Sequence, residues 1–436
     1  MILTLKNVGK IKKAEIKLDD ITVIAGYNST GKSTISKSLY GLILPFCNMN
    51  LKMKYEKEKS IRFLVSEYLD KNSLSFRYLE VIINVLNEMT ENNSSYLKSI
   101  PINSFENNLS DYLKEKDFFA FQKNSEPAEI YHSRFLSHAK DLCCVINDVL
   151  GKDDMSFFKR VQSLTLSSLF NRQVVTRATT PDTKAIFELR LSDNNSFSMI
   201  VSEEETEFEA ENEPHLNNNI VYIETSNVID ELNKRRSPTN IERRNSYENN
   251  LITLLKQEPK NETELSEEEQ EERVFILETF QTIFEEALHG ELTRNDGKFF
   301  FKEFESDEMI DMKNVSSGMK CLLVIQRLIQ NGTINRNTIL IIDEPETNLH
   351  PEWQVLFANI LVLLNKLLGI KLLINSHSPY FIRALEVKMA MNEMADKGNY
   401  YLMVPCDNSL FMPKDVTNST EEIYRYLYKP LESLTL

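Results

Sequence analysis

Long apolar runs are missing from this sequence of 436 residues. No stretch of about 18 consecutive apolar residues occurs, so we expect no helix that spans a membrane and no membrane partner. The first residues alternate like a strand from Met1 onward and lack the charged and apolar regions of a signal peptide. These absences predict a cytoplasmic protein.

Cysteine is rare, and acidic residues outnumber basic ones. The five cysteines form neither a Cys-x-x-Cys pair nor a disulfide framework, so we expect buried, reduced thiols. The formal net charge of −15 argues against DNA binding over the whole surface. Much of the acid lies in one tract, Glu262 to Glu272, so the total charge does not exclude a local basic groove.

Glycine is scarce as well, with 11 residues in the chain, and two of these stand in one short motif. The segment from Gly26 to Thr34 fits the pattern G-x-x-x-x-G-K-[ST] of phosphate-binding loops. An apolar run at 21–25 precedes it, and apolar residues at helical spacing follow from Ile35. The order strand, loop, helix is the context that this motif requires.

The loop has the groups that a nucleoside triphosphate needs. Its glycines let backbone N–H groups point at phosphate oxygens, and the following helix adds the positive end of its dipole. Lys32 would reach the β- and γ-phosphates, and the Ser33 hydroxyl would ligate Mg²⁺. The residues that we expect to bind the nucleotide here are Gly26, Asn28, Ser29, Gly31, Lys32, Ser33 and Thr34.

A second motif has paired carboxylates. Four apolar residues, 339–342, precede Asp343 and Glu344, as in a buried strand that presents acids at its end. Asp343 would hold Mg²⁺ beside Ser33, and Glu344 would activate the water that attacks the γ-phosphate. Alone, this motif fits an apolar strand that ends on a charged turn equally well. The glycine loop in the same chain favours the catalytic interpretation.

Two further motifs have weaker signals. Ser316, Ser317 and Gly318 precede a helical apolar run, which fits either a second anion site or an ordinary helix cap. An apolar run at 372–374 leads to His377, which would lie at the carboxyl end of a strand, where doubly wound sheets bind ligands.

The rest of the chain changes its periodicity several times. Residues 52–149 have helical spacing, and we interpret their aromatic residues as a bundle core rather than a base-stacking surface. Alternation at 185–201 predicts a hairpin, and an apolar run at 220–223 predicts a buried strand. The basic residues at 234–236 and 243–244 fit a solvated hinge better than a DNA contact. We expect one apolar helical face to consist of Val274, Leu277, Ile283, Phe284 and Leu288.

Taken in order, the four motifs resemble those of the ABC-type ATPase heads of the SMC and RecF class. They are still more similar to the OLD-like ATPases of bacterial anti-phage systems. The likeness lies in the segments 26–34, 316–320, 343–351 and 375–379. It implies an α/β P-loop NTPase fold, an ABC-type ATPase head with a large helical insertion, and ATP with Mg²⁺ as cofactors.

The resemblance divides the chain into parts. The head would begin at 1–44 and end at 299–436, with a hairpin part at 181–226. A helical insertion would occupy 45–180, and a charged and helical insertion would occupy 227–298.

The resemblance also implies a site shared by two chains, in a homodimer or a higher homo-oligomer. Ser316 and Gly318 would belong to a signature motif that contacts the γ-phosphate held by the other chain. The loop from Glu346 to His350 would cross that interface, and His377 would sense the γ-phosphate.

Two positions depart from the usual ABC pattern. Ser317 stands where many ABC proteins have Gly, and Met319 where they have Gln or Glu, which suits OLD-like proteins and argues against a transporter subunit. Glu224 and Thr225 are candidates for the glutamine loop, but no Gln stands there.

OLD nucleases have a Toprim nuclease domain after the ATPase. The sequence after Pro379 is too short for a typical separate domain and has no clustered acidic metal site. We therefore expect an ATPase that regulates a separate effector, an HNH or Toprim nuclease or a toxin, as in the Septu and PARIS systems. One alternative is a RecF- or SMC-like DNA-repair ATPase that binds DNA. Another is an ATP-stabilised scaffold with little turnover that sequesters an effector.

Overall fold

Two compact units make up the chain. The computed structural model describes residues 1–47, 49–91, 99–115, 128–176, 183–192, 195–202, 206–210, 216–234, 246–259, 266–306, 308–406 and 409–432. The larger unit consists of Met1–Cys47 and Ser163–Leu436, and the smaller is Asn48–Gln162. The smaller unit falls within the segment for which the sequence predicts a helical insertion.

The larger unit contains both sheets. In chain order the strands are β1 (Ile2–Val8), β2 (Ile11–Lys17), β3 (Ile21–Ala25), β4 (Ala185–Ser192), β5 (Asn195–Val201), β6 (Thr206–Ala210), β7 (Asn219–Ile223), β8 (Gly290–Asn295), β9 (Lys298–Glu303), β10 (Met309–Asp311), β11 (Thr338–Asp343), β12 (Lys371–Ser376), β13 (Gly398–Pro405) and β14 (Phe411–Asp415). Eleven strands form one sheet in the order β6-β5-β4-β1-β2-β14-β13-β3-β12-β11-β7, and β10-β9-β8 form the second.

The helices lie in both units. In chain order they are α1 (Lys32–Ile43), α2 (Met49–Lys71), α3 (Arg77–Glu91), α4 (Ile102–Glu115), α5 (Ala128–Ser137), α6 (Ala139–Leu150), α7 (Asp154–Leu169), α8 (Ser246–Lys256), α9 (Glu267–Leu288), α10 (Ser317–Gln330), α11 (Pro351–Leu368), α12 (Pro379–Met391) and α13 (Glu421–Glu432). Within the described part of the chain, no helix combines the length and apolarity needed to cross a bilayer.

Five neighbouring strands of the large sheet run parallel. They are β7, β11, β12, β3 and β13, and every residue of β3 and β11 is buried. A parallel sheet that is covered on both faces requires such continuous apolar strands. The largest core cluster joins these strands to α10, α11 and α12.

The antiparallel half of the sheet contains two hairpins, and the one predicted at 185–201 is confirmed. β1 pairs with β2 through the turn at Gly9 and Lys10, and β4 pairs with β5. The residues between β4 and β5, 193–194, lie outside the described residues. The strand predicted at 220–223 is also confirmed, as β7.

The smaller unit has an apolar core, as expected, but some of its aromatic residues lie outside that core. Phe63 is 61% exposed, whereas Ile61, Val65 and Leu69 of the same helix are buried. These three residues are four apart and share one face of α2, and Phe63 points away from that face because it is two residues out of step. Phe135 is buried in the core. Phe118, Phe119 and Phe121 lie outside the described residues.

Two smaller expectations also need correction. Val274 is 52% exposed, because the buried face of α9 follows the four-residue spacing of Phe280, Phe284 and Leu288. Among the described residues the cysteines form no disulfide, but Cys144 is exposed rather than buried. Its neighbour in α6, Cys143, is buried, because adjacent helical residues point in different directions.

Candidate nucleotide-binding site

Three loops of the site leave the same edge of the parallel sheet. Ser376 in β12 pairs with Ala25 in β3, and Asn375 pairs with Asp343 in β11. The three strands therefore end side by side, and the glycine loop, the carboxylate pair and His377 follow directly. This edge, at the carboxyl ends of parallel strands, is where open α/β sheets bind ligands.

Two positions of the glycine loop tolerate no residue other than glycine. Gly31 has a φ of 95°, and a Cβ added there would lie 2.7 Å from Ile11 Cδ1. A Cβ added at Gly26 would lie 2.8 Å from Met403 Cβ. Because these two positions have no side chain, the backbone can follow the tight curve that a phosphate cradle requires.

Lys32 lies inside the loop rather than in solvent. Its side chain is buried, and Nζ donates to the carbonyl oxygens of Gly26 at 2.8 Å and Tyr27 at 2.9 Å. Burial lowers the pKa of Lys32, and the carboxylates of Glu344, Glu346 and Asp343 partly oppose this shift. An ammonium in this position would gain by exchanging carbonyl oxygens for charged phosphate oxygens. Helix α1 begins at Lys32 without a side-chain cap, so its first N–H groups suit the same anion.

The carboxylate of Asp343 is buried in a polar network. Oδ1 accepts from Ser36 Oγ at 2.9 Å and Asn375 Nδ2 at 2.6 Å, and Oδ2 accepts from Tyr222 Oη at 2.9 Å. Burial raises the pKa of Asp343, and the hydroxyls of Ser33, Tyr222 and Ser36 oppose that shift. The pairing of Asp343 with Ser33 fits the two ligands that Mg²⁺ would take from this chain.

Two members of this network were missed by the sequence analysis. Ser36 lies one helical turn after Lys32, so a polar residue on the inner face of α1 was the available signal. Tyr222 gave no signal, because an aromatic residue in a buried strand is normally part of the core.

The hydroxyl of Tyr222 should stabilise the fold measurably. We expect Tyr222→Phe to lower the free energy of unfolding by about 1.5–3 kcal/mol, because a hydrogen bond to a buried carboxylate is lost. Chemical denaturation measures this change. Tyr400→Phe is the matched control, since its buried hydroxyl donates to Met389 Sδ, a weak and uncharged acceptor. An equal or larger loss in the control would contradict the prediction.

Glu344 has an unusual backbone conformation. Its φ is 49°, in the left-handed region, and its N–H donates to Asn375 O at 2.8 Å. A residue with a side chain costs about 1–2 kcal/mol in this region, and such strain is concentrated at functional sites. The side chain is partly exposed, and Oε1 lies 3.6 Å from His377 Nδ1. Glu344 is thus placed where a carboxylate could meet a water molecule.

The motif at Ser316 begins helix α10. Ser316 Oγ accepts from Met319 N at 3.4 Å, which is a helix cap, one of the two interpretations that the sequence left open. A Cβ added at Gly318 would lie 3.0 Å from Asn348 O and 3.3 Å from the Trp353 ring, so this glycine packs against the loop after Glu344. Among the described residues, none of the hydrogen bonds of Ser316 or Gly318 is with the glycine loop. The two motifs are therefore not joined within one chain.

One of the two candidate residues of the glutamine loop contacts helix α1. Glu224 forms an ion pair with Lys37 at 2.8 Å, and Thr225 caps the short helical turn that follows. Of the two basic groups, Lys234 is paired with Glu231. The other basic residues, Arg235, Arg236, Arg243 and Arg244, lie outside the described residues.

A family model described as an AAA ATPase domain matches residues 1–382, which contain all four motifs. The chain belongs to the AAA ATPase domain family. Its sheet order and glycine loop agree with this membership, and the expected α/β P-loop ATPase fold is confirmed. No curated protein sequence matches the chain.

Three solved structures of SMC heads are similar to this AAA ATPase domain. The SMC head domain from Thermotoga maritima is 11% identical, covers 95% of this chain and 98% of its own, and has a TM-score of 0.41. An SMC head bound to the C-winged helix domain of ScpA is 10% identical, with coverages of 97% and 98% and a TM-score of 0.43. An SMC head from Pyrococcus furiosus, bound to the C-terminal domain of ScpA, is 12% identical, with coverages of 98% and 98% and a TM-score of 0.39.

The residues present fit the MgATP that an AAA ATPase domain would bind. Bound MgATP would supply the γ-phosphate and a divalent charge to polarise it. Lys32 and the N–H groups at the start of α1 would hold the phosphates, and Ser33 with Asp343 would hold the metal. Glu344 would accept a proton from the attacking water, and His377 would donate to the γ-phosphate.

Proposed function

We propose that this ATPase works as a two-copy switch. Two chains close on two MgATP, hydrolysis reopens them, and the closed form regulates a separate effector, a nuclease or toxin, in anti-phage defence. The observation that supports it is the common sheet edge at which Lys32, Asp343, Glu344 and His377 follow three adjacent strands. These residues supply each group that hydrolysis of a phosphoanhydride requires.

The proposal of two copies is supported by the position of the Ser316 motif. Gly318 packs against Asn348 and Trp353, and the Ser316 motif makes no hydrogen bond to the glycine loop among the described residues. If the Ser316 motif contacts a γ-phosphate, as the resemblance implies, that phosphate would be one held by Lys32 of a second chain. ATP can drive closure only if it binds the closed form more tightly, and shared donors provide that difference.

The oligomeric state with and without nucleotide tests this proposal. Light scattering should give a higher mass with MgATP than with MgADP or no nucleotide. Trp353 is the one tryptophan of the chain and lies at Gly318, so its fluorescence should change on closure. A chain that stays monomeric with MgATP and shows no affinity for adenine nucleotides would overturn the proposal.

The effector part of the proposal needs its own test. The product of the adjacent open reading frame should co-purify with the ATPase, and nucleotide should change that association. If the neighbouring gene encodes no nuclease or toxin and the ATPase instead binds duplex DNA in a salt-sensitive way, the DNA-repair alternative is favoured.

A further inference from the structure

The side chain of Glu346 points into its own chain. Glu346 belongs to the loop that the sequence resemblance assigns to the subunit interface, yet it is only 6% exposed. Its Oε1 accepts from Ser376 Oγ at 2.9 Å, from the backbone N–H of His377 at 2.8 Å and from that of Ser378 at 3.1 Å. One carboxylate oxygen thus holds the last residue of β12, Ser376, and the two residues that follow it.

The same oxygen lies beside the imidazole ring. His377 Nδ1 is 3.1 Å from Glu346 Oε1 and 3.6 Å from Glu344 Oε1. The carboxylate therefore holds the backbone of His377 by a hydrogen bond and lies next to its ring. Lys32 is a further charged group that faces this cluster, because it interacts electrostatically with Glu344, Glu346 and Asp343.

The three hydrogen bonds of Glu346 do not explain why this position has a carboxylate. Its second oxygen, Oε2, is buried without a hydrogen-bond partner in the described structure, and so is His377 Nδ1. A buried, unpaired polar atom typically costs about 1–3 kcal/mol. A neutral acceptor such as an amide oxygen could make the same three hydrogen bonds without burying a charge. The carboxylate is better explained by the ring that it faces.

We propose that Glu346 is a positioning residue that aims the His377 ring at the γ-phosphate. Because Glu346 also begins the loop that contains Asn348, which packs against Gly318, it links the ring to the face expected to meet the second copy. This inference rests on the proposed ATPase function, in which His377 contacts the γ-phosphate.

The test is a double-mutant cycle of Glu346→Gln and His377→Ala. Gln keeps the shape and the Oε1 acceptor and removes the charge. We expect E346Q to lower kcat by roughly 10²-fold, as for a misplaced catalytic group, and to change KM for ATP by less than about twofold. In the H377A background, E346Q should have no further effect on kcat, because Glu346 acts through His377. Glu352→Gln, an exposed acid at the start of α11, is the matched control.

A second readout does not depend on turnover. The chain has six histidines, so ¹⁵N-histidine spectra are simple, and the ring nitrogens of His377 should shift in E346Q but not in E352Q. If E346Q has a lower melting temperature than the wild type, Ser376→Ala replaces it in the cycle. Ser376→Ala removes one donor to Glu346.

The outcomes separate this inference from the proposed function. If the wild type is active and E346Q has the same kcat, the positioning role is overturned. It is also overturned if E346Q lowers kcat equally in the wild-type and H377A backgrounds. An inactive wild type that binds no ATP would refute the proposed function. The ¹⁵N shift would still decide whether Glu346 controls the ring, and an unchanged His377 signal would reject it.

Discussion

Glu344→Gln should leave ATP binding intact and lower ATP turnover by roughly 10²–10⁴-fold, the usual contribution of a general base. The amide has the shape of the carboxylate but cannot accept the proton of the attacking water. The side chain is partly exposed at the carboxyl edge of the sheet, so the substitution should not disturb the core. Steady-state phosphate release and equilibrium ATP binding measure the two effects.

The Glu344→Gln variant should accumulate in the closed form. If hydrolysis opens the two-copy assembly, a chain that binds MgATP without cleaving it stays closed. The dimer mass and the Trp353 signal should then persist with MgATP, whereas they decay in wild type as ATP is consumed.

Glu393→Gln is a suitable control for this substitution. Glu393 is an exposed glutamate that also has a left-handed backbone, with a φ of 60°. Its replacement tests whether loss of a carboxylate on a strained turn is enough to lower activity. Turnover in E344Q at the wild-type rate would mean that another group accepts the proton.

The strand, loop and helix around Gly26 could be predicted from the sequence because their signals are local. Consecutive apolar residues, two glycines and helical spacing determine these elements within about 20 residues of chain. The strands at 339–343 and 372–376 were predictable for the same reason. The contacts of Asp343 were not, because Ser36 and Tyr222 lie far away in sequence and reach it only through the order of the parallel strands.

The errors in the predicted core have a related cause. A helical apolar pattern marks residues that share a face, but it does not show which face meets a neighbouring element. Phe63 and Val274 fitted a loose pattern of spacings three and four, and the packed faces of α2 and α9 follow other residues. The inward direction of Glu346 could not be predicted either. Its partners lie at the end of β12, and no local sequence pattern links that strand to Glu346.

Lys32→Ala should weaken ATP binding by roughly 10- to 150-fold. The ammonium now contacts two carbonyl oxygens, and with phosphate it would form charge-assisted hydrogen bonds worth about 1.5–3 kcal/mol. Equilibrium titration with ATP measures this loss. Lys37→Ala, on the same helix, is the control, because Lys37 is paired with Glu224. A similar loss in both variants would contradict a specific role for Lys32.

Folding should be affected less than binding in this variant. Burial lowers the pKa of Lys32 below its value in the unfolded chain, so the charged form is disfavoured in the fold. This penalty is present at neutral pH and disappears as the pH rises above the unfolded pKa. Removing the ammonium relieves it and offsets the lost bonds to the carbonyl oxygens, so the melting temperature should change little.

The combined variant K32A/E344Q decides the order of events. If ATP binding precedes closure, the double variant should stay open with MgATP like K32A, although E344Q alone stays closed. If closure did not depend on the phosphates held by Lys32, the double variant would instead stay closed. Light scattering and Trp353 fluorescence on the four proteins distinguish these outcomes, because the single variants move the same equilibrium in opposite directions.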